Sequence, residues 1–255
     1  MTGRDTYIRE EAQYIPARSS IGEAGAAFLE LSQVGFSYSG KRPAVLSGIN
    51  LTFAREGITA IMGPNGCGKT TLTKLMVGIL SPASGEISLE GRSLQEYTLA
   101  QVGRRIGYVF QNPNHQLFCS TVEEEIGFGL THLGEEPAVV RERVDFYLDY
   151  FELSPYRDQF PLNLSYGEKQ RLAIAAVLAG EPGFLILDEP TVGLDIYREK
   201  LLEEQLHKVA ELGRGVVIVS HDNKFVSQVA ERIITLENGQ VKWDSSWRGN
   251  NDHEA

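Results

Sequence analysis

The stretch Ile58-Thr-Ala-Ile-Met62 runs directly into Gly63-Pro-Asn-Gly-Cys-Gly-Lys-Thr70. The first part is a short apolar run typical of a buried strand, and the second has the Gly-x-x-x-x-Gly-Lys-Thr spacing of a phosphate-binding loop. In such a loop the glycines let backbone N–H groups turn towards phosphate oxygens, and the following helix N-terminus adds partial positive charge. The sequence therefore predicts a binding site for a nucleoside triphosphate.

Two side chains of this loop have distinct expected roles. Lys69 is expected to reach the β- and γ-phosphates, and the Thr70 hydroxyl is expected to ligate Mg²⁺. On its own the loop predicts a nucleoside triphosphate and Mg²⁺ as cofactors, and the choice of ATP depends on the family resemblance described below. The predicted nucleotide-binding residues of this segment are Gly63, Pro64, Asn65, Gly66, Cys67, Gly68, Lys69, Thr70 and Thr71.

The chain of 255 residues is acidic, with a formal charge of −10 at pH 7. An acidic chain is a poor candidate for wrapping nucleic acid, which is usually bound by clustered Lys and Arg. The two cysteines, Cys67 and Cys119, form neither a metal-ligand pattern nor a disulfide framework, so a reducing compartment is expected. No apolar run approaches the ~18 residues that cross a bilayer, so membrane association is expected to depend on a protein partner.

Short apolar runs alternate with helical patterns along the chain, which predicts an α/β sheet with helices on both sides. Continuous apolar runs favour central strands that are covered on both faces. Such runs occupy residues 106–110, 184–187 and 216–219. Outer strands are predicted at residues 87–89 and 233–236.

Helical patterns fill two parts of the sequence. A helix is predicted over residues 70–80, immediately after the loop. Its buried stripe is expected to consist of Leu72, Leu75, Met76 and Ile79. Residues 112–182 also have a helical pattern, which is strongly amphipathic over 139–151. We interpret residues 112–182 as a helical subdomain inserted into the α/β core.

The remaining boundaries follow from these patterns. Residues 27–246 are predicted to form one domain, whose α/β core comprises residues 27–111 and 183–246. Residues 1–26 are interpreted as a polar N-terminal extension without the hydrophobic segment of a secretory signal. Residues 247–255 are interpreted as a disordered tail.

Two adjacent carboxylates end the apolar run Phe184-Leu-Ile-Leu-Asp-Glu189. The carboxyl end of a strand is where open α/β sheets bind their ligands. Asp188 is expected to hold Mg²⁺ through water, and Glu189 is expected to orient and deprotonate the attacking water. A solvated strand end is the alternative, but it is a poorer explanation of paired acids in a chain that also carries the phosphate loop.

A third segment, Leu164-Ser-Tyr-Gly-Glu168, opens a predicted helix with Ser165 as its N-cap. Taken alone, this segment favours simple capping over anion binding. Together with the loop and the paired acids, however, it resembles the signature sequence LSGGQ of ATP-binding cassette (ABC) ATPases. Tyr166 stands where the family has glycine, and Glu168 stands where it has glutamine.

The resemblance covers about residues 28–245 and implies a P-loop NTPase (RecA-like) core with a mixed sheet. Family members pair head to tail, so that each nucleotide lies between one subunit's loop and the other's signature helix. By this resemblance Ser165, Gly167 and Glu168 belong to the nucleotide site of the partner subunit. Because Gly167 is kept, a working signature is expected.

Other positions match the family one by one. Tyr38 matches the aromatic residue that stacks on adenine, and Gln111 matches the glutamine that senses Mg²⁺ and the attacking water. His221 matches the histidine that contacts the γ-phosphate. Asp195, in Val192-Gly-Leu-Asp195, matches the loop that crosses the dimer seam. The resemblance thus implies catalytic roles for Glu189, His221 and Gln111, and metal-site roles for Thr70, Gln111 and Asp188.

The segment Asn112-Pro-Asn-His-Gln-Leu-Phe-Cys-Ser-Thr-Val-Glu-Glu-Glu-Ile126 resembles the energy-coupling factor (ECF) branch of the family. In that branch, which serves cobalt, nickel and vitamin uptake, this region grips short coupling helices of a membrane partner. Pro113, Leu117 and Phe118 are candidates for such an apolar groove. They are equally good candidates for the core of the helical subdomain.

The resemblance therefore implies the ATP-hydrolysing subunit of an ECF-type importer for a metal ion or vitamin, at the cytoplasmic face of the cell membrane. Its implied partners are a second ABC ATPase subunit, either identical or related, and integral membrane subunits for coupling and for substrate binding. A conventional ABC transporter subunit is one alternative. A nucleic-acid ATPase of the chromosome-maintenance or repair type is another, but such proteins insert a very long coiled coil between the loop and the signature.

Overall fold

The computed structural model describes residues 27–38 and 44–245. The predicted extension (1–26) and the predicted tail (247–255) lie outside the described residues. The strands are β1 (Ala27–Phe36), β2 (Leu46–Ala54), β3 (Gly57–Met62), β4 (Ser84–Leu89), β5 (Arg92–Ser93), β6 (Ile106–Val109), β7 (Phe184–Asp188), β8 (Gly215–Val219), β9 (Arg232–Glu237) and β10 (Gln240–Asp244). The α-helices are α1 (Lys69–Met76), α2 (Leu99–Gly103), α3 (Val122–Leu133), α4 (Pro137–Tyr150), α5 (Tyr166–Ala179), α6 (Ile196–Glu211) and α7 (Asn223–Val229).

The strands form two sheets. The central sheet has the order β10-β9-β3-β8-β7-β6 in the described part of the chain. Its strands from β9 to β6 pair in parallel, and β10 pairs antiparallel with β9, so the predicted mixed sheet is confirmed. A separate antiparallel sheet, which sequence reasoning did not predict, has the order β2-β1-β4-β5.

Both faces of the central sheet are covered, as the continuous apolar runs require. In β7, Phe184 and Ile186 pack with helix α1 and the antiparallel sheet. Leu185 and Leu187 point to the opposite face and pack with α3, α4, α5 and α6. Because side chains alternate along a strand, a strand buried on both faces must be apolar at every position.

Two strand predictions need correction. Residues 106–110 were expected in the middle of the sheet, but β6 ends at Val109 and lies at its edge. Residues 233–236 were expected at an outer position, but β9 lies between β3 and β10. An apolar run reports that the two faces of a strand are covered, and it carries no information about the neighbours on either side.

The helix after the loop is shorter than predicted. Leu72, Leu75 and Met76 are fully buried as expected, but Ile79 is 44% exposed. The helix ends at Met76 because Gly78 takes a left-handed conformation with φ of +72°. The fourth residue of the predicted stripe is therefore outside the helix.

The stretch between β6 and β7 contains α3, α4 and α5. Val144 and Leu148 of the amphipathic α4 are buried against this helical group. Helix α5 also contacts β6 and so joins these helices to the central sheet. The division into core and subdomain remains an interpretation.

Phe184 connects the two sheets through its ring, which stacks on Phe28 with centroids 4.8 Å apart. Its side chain is 1% exposed. We expect Phe184→Ala to lower the free energy of unfolding by about 3–5 kcal/mol, because it removes an aromatic ring and leaves a cavity. Urea unfolding followed by circular dichroism measures the change. The matched control is Phe160→Ala, since Phe160 is 44% exposed and its loss should cost about 1 kcal/mol or less. Equal losses for both variants would contradict this account of the core.

Candidate active site

The phosphate-loop sequence lies between β3 and α1. Gly63 has a φ of +149°, and a Cβ built on it would lie 2.1 Å from the Leu236 carbonyl oxygen. Only glycine fits a backbone that passes so close to β9. The Lys69 ammonium donates to the carbonyl oxygens of Gly63 at 2.7 Å and Pro64 at 3.2 Å. The loop thus wraps around its own lysine.

Helix α1 begins without a side-chain cap. Gly68, with φ of +107°, precedes it and has no side chain to accept from the first N–H groups of the helix. Uncapped N–H groups at a helix N-terminus are suited to bind an anion. Cys67 is buried within the loop, whereas Asn65 and Gly66 are exposed.

Three parallel strands end beside this loop. Gly63 follows β3, Asp188 is the last residue of β7, and His221 follows β8. The backbone N–H of Glu189 donates to the Val219 carbonyl at 2.8 Å, which continues the contact between β7 and β8 past the end of β7. The sheet therefore brings three segments, far apart in sequence, to one edge.

Glu189 and His221 form the polar pair at this edge. The Nδ1 atom of His221 lies 2.8 Å from Oε2 of Glu189. Since a carboxylate can only accept, Nδ1 carries the proton and Nε2 remains for another partner. The Glu189 side chain is 7% exposed and that of His221 is 65% exposed. Glu189 has φ of +51°, a conformation that a non-glycine residue adopts at some cost, and sites of function commonly contain such residues.

Asp188 is a buried acid beside the loop. It is 1% exposed, and neither carboxylate oxygen has a hydrogen-bond partner of normal geometry among the described residues. Burial raises the pKa of Asp188, and the charge of Glu189 raises it further, while the Thr70 hydroxyl and Lys69 act in the opposite direction. A buried carboxylate whose oxygens are unsatisfied, next to a hydroxyl, fits a divalent cation such as Mg²⁺.

Sequence reasoning missed two hydroxyl groups here. The Tyr108 hydroxyl of β6 lies 3.0 Å from the Thr73 hydroxyl of α1. Burial raises the pKa of Tyr108, and nearby Asp188 raises it further. The signal in the sequence was a lone phenol within an apolar strand, which needs a polar partner when it is buried.

The signature segment caps α5 as predicted from its Ser165. The backbone N–H of Ser165 donates to the Glu168 carboxylate at 2.8 Å, and the Ser165 hydroxyl donates to the same oxygen at 2.7 Å. In return the N–H of Glu168 donates to the Ser165 hydroxyl oxygen at 3.4 Å, which completes a capping box. Hydrogen bonds from Tyr156 and then Ser165 lower the pKa of Glu168, so it stays charged.

Gln111 lies beside the signature helix. Its backbone carbonyl accepts a hydrogen bond from the Tyr166 hydroxyl at 2.9 Å, and the residue itself is exposed. Gly167 lies against the 192–195 loop, since a Cβ on it would be 2.7 Å from the Gly193 carbonyl oxygen. The described contacts thus join the signature, Gln111 and the 192–195 loop into one group.

Tyr38 lies beside α1, and Asp195 begins α6. The Tyr38 hydroxyl lies 3.0 Å from the Thr71 hydroxyl of α1, and its ring is 60% exposed next to the loop. Asp195 is the N-cap of α6 and accepts from the N–H of Arg198 at 2.9 Å. Backbone hydrogen bonding from Arg198 lowers the pKa of Asp195.

The three candidate groove residues differ in their exposure to solvent. Pro113 is buried, and Leu117 is 5% exposed within the helical core. Phe118 is 63% exposed, and its ring meets that of Phe128 edge-on at 4.7 Å. His132 extends this patch, 4.0 Å from the Phe128 ring. One of the three residues therefore faces solvent, and two are buried.

The sequence pattern of the family described as ABC transporter matches residues 46–192. The chain belongs to the ABC transporter family. This match covers more than half of the chain, and it includes the loop, the signature and the two acids. The resemblance inferred from the sequence motifs is therefore confirmed.

Among curated relatives, the energy-coupling factor transporter ATP-binding protein EcfA of Methanothermobacter thermautotrophicus is 41% identical over 84% of this chain and 69% of its own length. Among solved structures, cbiO1 of Clostridium perfringens, part of the ABC transporter complex cbiONQ, is 34% identical. Its TM-score is 0.73, over 86% of this chain and 88% of cbiO1. A dimeric, ADP- and phosphate-bound structure of the ATP-binding cassette MJ0796 is 28% identical, with a TM-score of 0.76 over 87% of this chain and 100% of the cassette.

These similarities identify the chain as an ATPase subunit of an ABC transporter, with the α/β P-loop fold that the motifs predict. Hydrolysis of ATP coupled to transport is the general activity of the family. The chain spans about a third of the length of some other curated relatives. Within residues 27–38 and 44–245, no helix has the length and apolar character to cross a membrane.

The buried charge of Asp188 predicts a conflict between function and stability. We expect Asp188→Asn to raise the melting temperature by about 2–4 °C at pH 8 without nucleotide or Mg²⁺, the shift that about 1 kcal/mol gives in a chain of this size. The pKa of Asp188 is raised in the folded state, so the buried charge lowers the free energy of unfolding by its full amount only above that pKa. The increase in melting temperature given by Asp188→Asn should therefore become smaller as the pH falls through the folded-state pKa of Asp188. Differential scanning calorimetry measures both effects, and exposed Asp158→Asn is the control. If Asp188→Asn were less stable than wild type at pH 8, the claim that the buried charge of Asp188 destabilises the fold would be refuted.

Proposed function

We propose that this chain is the ATPase subunit of an ECF-type importer for a metal ion or vitamin, and that it works in a head-to-tail pair with a second ABC ATPase. The observation that carries the ATPase site is the Glu189–His221 pair at the sheet edge beside the phosphate loop. The relatives named EcfA and cbiO1 support the ECF type.

In the proposed reaction Glu189 is the base that orients and deprotonates the attacking water. Its carboxylate is held by the Nδ1–H of His221, which leaves Nε2 of that exposed ring to contact the γ-phosphate. Gln111 would complete the catalytic group when its loop approaches the γ-phosphate. Tyr38, with its ring exposed next to Thr71, would stack on the adenine.

Lys69 and the N–H groups of residues 63–71 would bind the phosphates. Lys69 would exchange its hydrogen bonds to Gly63 and Pro64 for phosphate oxygens, which makes it available without a large rearrangement. Mg²⁺ would be held by Thr70, Asp188 and Gln111, and the unsatisfied oxygens of Asp188 fit that role. When bound, the ion supplies positive charge against the phosphate oxygens.

The pairing proposal depends on the signature end of α5. Ser165 is exposed at this end, and its charged neighbour Glu168 fixes its position. Ser165, Gly167 and Glu168 would face the nucleotide of the partner subunit, and Asp195 would lie at the seam. The dimeric ADP-bound structure of MJ0796 supports a pair of this kind. The second subunit is either a copy of this chain or a related one.

The test of the active site is Glu189→Gln, which removes the base and keeps the size of the side chain. We expect ATP hydrolysis to fall by about 10²–10⁴-fold while ATP still binds. ATP should then hold the variant as a stable pair, visible by light scattering with size-exclusion chromatography. Phosphate release measures the rate.

The control is Glu211→Gln, an exposed carboxylate at the end of α6. It should hydrolyse ATP at the wild-type rate. Hydrolysis by Glu189→Gln at that same rate would show that Glu189 is not the base. A variant that binds ATP, loses hydrolysis and stays monomeric would retain the active site and refute pairing with a copy of this chain.

The membrane partner is proposed to dock on the patch formed by Phe118, Phe128 and His132. The loop that presents Phe118 is held firmly, because the buried Glu125 carboxylate accepts from the N–H groups of Phe118 at 2.8 Å and Cys119 at 2.7 Å. An exposed aromatic ring on a rigid loop is suited to anchor a short helix of a partner. The chain would then sit at the cytoplasmic face of the cell membrane.

The docking proposal is tested with Phe118→Ala. Because the ring is exposed, we expect the folding and the basal ATPase of the isolated chain to stay within about twofold of wild type. Recovery of integral membrane subunits from gentle detergent should fall by about tenfold or more, the loss of one hot-spot side chain. Phe160→Ala, at another exposed phenylalanine, is the control.

Mass spectrometry of the recovered membrane proteins also decides the transporter type. A coupling component together with a separate substrate-binding component supports the ECF type. A conventional permease alone would refute the ECF type and keep the ABC transporter ATPase. Unchanged recovery with Phe118→Ala would refute the patch.

A further inference from the structure

Tyr166 occupies the first position of α5, directly after the N-cap Ser165. Its hydroxyl donates to the backbone carbonyl of Gln111 at 2.9 Å, across 55 residues of sequence. Burial raises the pKa of Tyr166, so the hydroxyl keeps its proton and remains a donor at neutral pH. The bond constrains the path of the chain at Gln111 through the backbone and does not involve the amide side chain.

The ring of Tyr166 makes a second contact. A Cβ built on Gly193 would lie 2.7 Å from Cδ1 and 3.2 Å from Cε1 of this ring. Gly193 has φ of +81°, and its carbonyl would be 2.7 Å from a Cβ on Gly167. The ring of Tyr166 and the first turn of α5 therefore contact the backbone of the 192–195 loop directly.

The far end of that loop is also joined to the helical region. Asp195 pairs with Arg198, and Arg198 lies 3.4 Å from the Glu152 carboxylate. Arg171 of α5 approaches the same carboxylate at 3.5 Å. The 192–195 loop is thus in direct contact with α5 at Tyr166 and Gly167, and Asp195 is linked to α5 through Arg198 and Glu152. Among these side chains, Tyr166 also reaches Gln111.

We propose that Tyr166 is a positioning residue that fastens the Gln111 loop (residues 110–117) and the 192–195 loop to the signature end of α5. Any displacement of α5 as its signature meets the partner's nucleotide is then passed to Gln111 at this chain's own site. The inference rests on the proposed function only for its catalytic consequence. The fastening itself is a property of the isolated chain.

The first test compares Tyr166→Phe, which keeps the ring and removes the hydroxyl, with Tyr97→Phe. Tyr97 also donates to a backbone carbonyl, that of Leu89 at 3.1 Å, but it lies in the region of the antiparallel sheet. Hydrogen exchange of the isolated chain, without nucleotide, should become about 2–10-fold faster at residues 110–117 in Tyr166→Phe, the factor for one ordinary hydrogen bond. It should stay unchanged there in Tyr97→Phe.

The catalytic consequence is read from the same variants. We expect Tyr166→Phe to lower kcat by about 2–10-fold and to leave the affinity of the isolated chain for ATP unchanged, because its described contacts lie outside residues 63–71. A purely structural role would instead lower the melting temperature and leave kcat per folded molecule as in wild type.

The ring contact is tested by a double-mutant cycle of Tyr166→Ala and Gly193→Ala. The added methyl group at Gly193 would overlap the ring in wild type, whereas the third atom near it, the Gly167 Cα, lies at an ordinary contact distance of 3.8 Å. The backbone strain at φ of +81° is the same in both backgrounds, so it cancels. We expect Gly193→Ala to reduce kcat less in the Tyr166→Ala background than in wild type. If the two substitutions lowered kcat by factors that simply multiply in the double variant, the functional role of the ring contact would be refuted.

The outcomes separate this inference from the proposed function. If Tyr166→Phe matched wild type in both hydrogen exchange and kcat, the inference would be overturned, and the ATPase assignment would be unaffected. A wild-type chain that fails to hydrolyse ATP would overturn the proposed active site, and the hydrogen-exchange comparison would still decide whether Tyr166 fastens the Gln111 loop.

Discussion

The parallel pairing of β3, β8 and β7 is the constraint on which the candidate active site depends. Because parallel strands end at the same edge of a sheet, this pairing places Gly63, His221 and Asp188 side by side although they are far apart in sequence. The pairing in turn requires two apolar faces, which the antiparallel sheet with α1 covers on one side and the larger helices cover on the other. Burial of the sheet thus makes the site.

The same edge contains features that are unfavourable for stability, and a structural role alone would not select them. Asp188 is an acid buried with unsatisfied oxygens, and Glu189 has a left-handed backbone conformation. Gly63 passes the backbone of β9 at a distance that no side chain permits. Each lowers stability or restricts the sequence, and all three occur within one small region. Stability given up at a single site is the usual mark of function.

The described contacts divide the functional residues into two groups. One contains the loop, Asp188, Glu189 and His221, all held by the central sheet. The other contains the signature, the 192–195 loop and the backbone of Gln111, all held by α5. Gln111 lies two residues after the end of the edge strand β6, and its carbonyl is hydrogen-bonded to Tyr166 of α5, so it connects the two groups. In the proposed mechanism it is the point at which motion of the helices reaches the hydrolysis site.

The sequence by itself determined the family, the P-loop context, the paired acids and the cap at Ser165, because these depend on local spacing and residue chemistry. Only the tertiary structure decided that β6 is an edge strand, that Pro113 and Leu117 are buried while Phe118 is exposed, and that Tyr108 contacts Thr73. It also decided that Tyr166 binds Gln111 and presses on Gly193. An apolar or aromatic residue shows that a partner is needed, but which neighbour supplies it is set by how distant segments pack.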